Sequence, residues 1–110
     1  MIAIKIEPDG HPHLVGIEGS SIADEISQME SHVGGYIKQI QLKDGGMMLM
    51  DEDGSSNSKH LKLNVIASVL YGKDVWGNVL IVGLDEHSQP ETVLTNVPDR
   101  YYALLAISSI

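Results

Sequence analysis

Cysteine and phenylalanine are both absent from the 110 residues. Without a thiol there is no disulfide framework, no thiolate zinc site and no cysteine nucleophile, a composition that suits a reducing cytoplasm. Basic residues are scarce as well, with seven Lys and Arg against fifteen Asp and Glu and a net charge of -8. Surfaces that bind DNA or phospholipid need clustered Lys and Arg, so basic proteins or small molecules are the expected partners. No apolar run approaches the ~20 residues of a membrane span. The stretch Met1 to Ile6 meets Glu7, Pro8 and Asp9 before a signal-peptide core could form, so a standard export signal is not expected.

What is present suffices for a single folded domain over residues 1–110: 43% hydrophobic and 20% charged residues, close to ordinary globular proteins. Ile2, Ile4 and Ile6 alternate with Ala3, Lys5 and Glu7, the period-two signature of a strand over 2–7. Pro8, Asp9 and Gly10 supply turn chemistry before a second strand near 13–18. Ser20 and Ser21 precede the stripe Ile22, Ile26, Met29 and Val33, which predicts a helix with Asp24 and Glu25 in its first turn and a stop at Gly34 or Gly35.

A second hairpin is expected from strands at Tyr36 to Leu42 and Met47 to Asp51, joined through Lys43, Asp44, Gly45 and Gly46. The polar segment 52–60 reads as a loop. Leu61, Val65, Ile66, Val69 and Leu70 suggest a short helix ending near Gly72. The unbroken apolar run Val79 to Leu84 predicts a central strand covered on both faces. After a loop through Ser88 and Pro90, Asn96 is placed to cap a helix that buries Tyr101, Leu104 and Leu105. The fold class is therefore α+β, an antiparallel or mixed sheet of about five strands with two or three helices.

Motifs for chemistry are incomplete. Asp51, Glu52, Asp53 and Gly54 suggest a calcium loop, but its register would need glycine at Ser56 and glutamate at Lys62. His11 and His13 could point to one side of extended backbone without a third local ligand, while His32, His60 and His87 are scattered. No G-x-S-x-G elbow, Walker loop or dinucleotide fingerprint is present, and the Gly34–Gly35 end of a helix offers carbonyls rather than the amides a phosphate needs. No enzyme, metal or cofactor is expected.

Four strings occur in order: Val33-Gly34-Gly35-Tyr36-Ile37; Asp51-Glu52-Asp53-Gly54; Leu61, Asn64 and Ala67 at three-residue steps; and Gly77, Val79, Ile81, Val82, Gly83. Together they resemble an uncharacterised domain-of-unknown-function family of short proteins carried by bacteriophages, plasmids and other mobile elements, over about residues 1–84. The chain departs from that family's pattern at Lys38, where an acidic residue is usual, and at Lys62 and Leu63, where a proline is missing. The resemblance implies action in a bacterial host's cytoplasm and supplies no catalytic residues.

The functional expectation is a non-enzymatic accessory or counter-defence protein that sequesters a nucleotide-derived immune signal and forms a homo-oligomer. The alternative is an acidic inhibitor of a host protein, conceivably mimicking nucleic acid. A pocket for a planar anion would gather aromatic faces, a neutral amide and a cation: Tyr36, Asn64, Trp76 and Arg100, the sole arginine.

Overall fold

A computed structural model describes residues 1–85 and 93–107. Six strands and two α-helices run in the order β1 (Ile2–Ile6), β2 (His13–Gly16), α1 (Ile22–Val33), β3 (Ile37–Gln41), β4 (Gly46–Asp51), α2 (Val65–Tyr71), β5 (Val79–Asp85) and β6 (Val93–Thr95), with 3₁₀ segments at Asn57–Lys59 and Asp99–Ala106. The anticipated loop at Ser88 and Pro90, with His87, lies outside the described residues.

All pairings are antiparallel and build one sheet in the order β2-β1-β5-β4-β3. Gly83 pairs with Gly46 of β4 and with Thr95 of β6, so β6 must occupy the edge of β5 that β1 leaves uncovered beyond Ile81. β5 is thus the central strand, and Ile4 and Ile6 of β1 pair directly with Ile81 and Val79.

Alternation sorts the sheet's side chains into two cores. Ile4, Ile6, Met48, Met50, Val79 and Ile81 face α2 and the C-terminal 3₁₀ helix. Ala3, Met47, Leu49, Leu80 and Val82 face α1 through Met29 and Val33. Because both faces are covered, every residue of β4 is buried; its unbroken methionine–leucine run has the same cause as the Val79–Leu84 run.

α1 begins at Ser21, whose side chain accepts from the Asp24 N–H, and ends at Gly34 with φ 92°. Its stripe is only half used. Met29 and Val33 are buried on the sheet, whereas Ile26 is exposed and Ile22 is 76% exposed. The N-terminal half of the helix therefore runs past the part of the sheet it covers.

Three expectations need correction. α2 starts at Val65 rather than near Leu61, because Asn64 caps it and Leu63 is bridged to Trp76 in the preceding segment. Its inner side carries Ile66, Ala67 and Leu70, leaving Val65 and Val69 outward. Asn96 caps no helix. Its side-chain oxygen accepts from the Ile2 N–H at 2.8 Å while Val97 N–H donates to the Ile2 carbonyl, so the segment after β6 is tied to β1 and the 3₁₀ helix begins only after Pro98. β6 itself was not anticipated; three residues are too few to show a period.

Replacing Gly34 by alanine is expected to cost about 1 kcal/mol, since a Cβ disfavours the left-handed region, and thermal unfolding checks it. Backbone amides of Val79 to Val82 are expected to exchange slowest in the chain, measured by hydrogen exchange.

Candidate functional site

Two polar residues of the four strings, Asn64 and Asp51, each anchor a junction in the scaffold. At the first, Asn64 is 1% exposed. Its amide nitrogen donates to the carbonyls of Ile6 (3.0 Å) and Gly77 (2.9 Å), and its oxygen accepts from the Ala67 N–H at 3.0 Å. The backbone then closes a clip: Asn64 N–H donates to Val75, and Gly77 N–H to Lys62. Ser68 ties the clip to α2, with its hydroxyl donating to the Asn64 carbonyl and accepting from Val75 N–H. Gly77 permits the turn, with φ 81°.

At the second junction, the buried Asp51 carboxylate accepts from Lys59 Nζ at 2.6 Å and from the Asp53 N–H at 2.9 Å. That hydrogen bond raises the Lys59 pKa above its ordinary value. A Cβ on Gly35 would stand 2.8 Å from both Asp51 Oδ2 and Lys59 Nζ, so glycine there is a clearance requirement. The Asp51–Gly54 acidic run thus closes a turn around its own lysine. Among the described residues no group of three or more His, Asp or Glu could hold a metal ion.

The four sequence-derived site residues do not share a pocket. Asn64 spends its side-chain amide on the first junction. Trp76 borders a shallow depression of about 260 Å³ with Ser56, His60 and Leu61. Arg100 lies over the Tyr101 ring, 5.4 Å from its centroid, near Gly45. Tyr36, 72% exposed, stands at a different place.

That place is a groove of about 570 Å³ between α1 and the sheet. Its apolar walls come from Ile22, Ile26 and Met29 of α1 and from Met1, Ile37, Leu49 and Leu94 across the sheet, with Tyr36 also lining it. Glu25, Glu30, Glu52 and Gln39 complete the lining, and among the described residues no Lys or Arg joins it. The groove exists because α1 outruns its seat on the sheet. The sequence places Ile22 and Ile26 on one apolar stripe with Met29 and Val33, and Glu25 in the first turn of the helix; no local signal distinguishes a stripe that is covered from one that is not.

On the α1 side of β1, Lys5 pairs across the ladder with His13, and His32 lies near both. Partial burial lowers the His32 pKa, and the positive charges of Lys5 and His13 lower it further. This is a local electropositive spot in an acidic molecule, without a cavity to make it a site.

The sequence profile of the domain of unknown function DUF3846 matches residues 1–106. The chain belongs to that family. No curated protein and no solved structure matches it. In this DUF3846 member, Asn64 and Asp51 bond backbone groups with their side chains.

Asn64→Ala is expected to destabilise the fold by about 3 kcal/mol in chemical denaturation, through the lost cap and the lost buried bonds to the Ile6 and Gly77 carbonyls. Gly35→Ala is expected to lower the thermal midpoint by displacing Lys59 from Asp51. A raised lysine pKa stabilises the fold below the ordinary value of 10.5 and ceases to do so as pH rises through the raised one. The stability gap between the parent and Lys59→Met should therefore close at strongly alkaline pH.

Proposed function

We propose that this protein is a non-enzymatic binding protein that captures a protein partner in the groove between α1 and β3. The observation that carries this reading is the pair Ile22 and Tyr36, 76% and 72% exposed, at a cavity with apolar walls and Glu25, Glu30, Glu52 and Gln39 in its lining. Large apolar side chains at a formed groove are the usual mark of a docking surface. Taken with the resemblance to phage and mobile-element proteins, the protein acts as an accessory or counter-defence factor in a bacterial host.

Charge decides between the two classes of ligand. Glu25, Glu30 and Glu52 line the groove, and Arg100 is placed elsewhere, over Tyr101. Moving an anionic nucleotide beside three carboxylates without a cation is unfavourable, since like charges in a partly desolvated site repel strongly. A protein partner is therefore favoured over a nucleotide-derived signal. The groove also lacks a paired nucleophile and base, which fits binding rather than turnover.

Affinity capture from a bacterial lysate tests the reading when three forms are compared: the parent, Ile26→Asp in the groove, and Val69→Asp on the outward face of α2. A partner retained by the parent and Val69→Asp and lost with Ile26→Asp is the expected outcome. Equal retention by all three contradicts it. Both substituted residues are exposed, so both variants should keep the parent's melting temperature to within a few degrees.

A further inference from the structure

Among the described residues β3 is a terminal strand, and its one ladder there is with β4. The flanking hydrogen bonds reveal which of its backbone groups are used. Glu52 N–H donates to the Tyr36 carbonyl and Leu42 N–H to the Gly46 carbonyl, so residues 36 and 42 point their polar groups toward β4. Antiparallel ladders alternate, which places 38 and 40 in the same set and turns the N–H and C=O groups of Ile37, Gln39 and Gln41 to the free edge. Ile37 and Gln39 also line the groove. An unpaired strand edge and an apolar, acid-lined cavity are thus continuous.

We propose that this edge and groove together accept an extended basic segment of a partner protein, added to the sheet as a strand beside β3. The inference rests on the groove reading above. Main-chain hydrogen bonds to Ile37, Gln39 and Gln41 hold such a segment, and its alternate side chains enter the groove. Apolar side chains meet Ile26 and Ile37, and Lys or Arg at the segment's ends meets Glu25, Glu30 and Glu52. The net charge of -8 adds long-range attraction for a basic segment. A second copy of this chain is the wrong occupant. Antiparallel pairing of two β3 edges would set both acidic linings side by side on one face of the joined sheet, an arrangement of like charges that opposes association.

The probe is a blocked peptide of alternating valine and threonine with two lysines at each end, compared with its glutamate counterpart. Nuclear magnetic resonance reads affinity and the exchange protection of individual amides. The lysine peptide is expected to bind, to protect the amides of Ile37, Gln39 and Gln41, and to weaken with added salt. Gln39→Pro removes an edge donor while leaving the bonds of Lys38 and Ile40 to β4, and is expected to weaken binding by about tenfold or more. Should that variant unfold, the double variant Glu30→Gln/Glu52→Gln, altered only in side-chain charge, must weaken the peptide instead.

Full affinity in a folded Gln39→Pro overturns strand addition, and so does equal binding of the glutamate peptide. Protection of the three amides in the protein alone, rising with concentration, overturns it in favour of self-pairing. If neither peptide binds while the Ile26-dependent partner is still captured, strand addition is wrong and the groove reading survives; if that capture also fails, both are wrong.

Discussion

A single buried amide joins three parts of this fold. The Asn64 side chain holds the end of β1 through Ile6, the turn into β5 through Gly77 and the first turn of α2 through Ala67. Each partner is a backbone group in the interior, where a lost hydrogen bond is expensive. Asparagine can serve all three because it carries a double donor and an acceptor on one planar group. Aspartate would set a carboxylate against two carbonyl oxygens, and leucine would strand all three. The Asp51–Lys59 pair plays a parallel part at the end of β4, where Gly35 passes close to both charged groups.

The two junctions and the groove draw on different side chains. Asn64, Asp51 and the glycines Gly35 and Gly77 satisfy backbone groups or clear space for them. The groove is lined by residues of α1, β3, β4 and β6 together with Met1, Tyr36 and Glu52, none of them in a special backbone conformation. A scaffold held by its junctions can vary such a surface without disturbing the core. The acidic lining then sets the kind of ligand admitted.

Much of the scaffold was legible in the residues because its causes are local. The alternation of Ile2, Ile4 and Ile6 reports a strand with one face in the core, and the Val79–Leu84 run reports a strand with both faces covered. Gly34 marks the end of α1 because only glycine takes φ 92° without penalty. What could not be read depends on tertiary placement. Asn96 looks like a helix cap, yet its oxygen is claimed by Ile2, ninety-four positions away in the chain. Ile22 and Ile26 continue the stripe of Met29 and Val33, and only the extent of the sheet beneath α1 leaves them uncovered. Tyr36 was singled out and does border the groove, while Asn64, Trp76 and Arg100 lie at three separate places.

The claim that the junction residues carry the fold and the groove carries recognition meets its most direct test in a substitution scan on displayed protein, read twice. Surface abundance reports folding, and retention of the fluorescent lysine-ended peptide reports binding. Substitutions at Gly35, Asp51, Asn64 and Gly77 should reduce abundance, with peptide retention per folded molecule unchanged. Those at Ile22, Ile26, Glu30, Gln39 and Glu52 should reduce retention and leave abundance intact. The opposite pattern would contradict the account: variants of Asn64 or Asp51 that remain abundant but lose the peptide would move the binding site into the junctions.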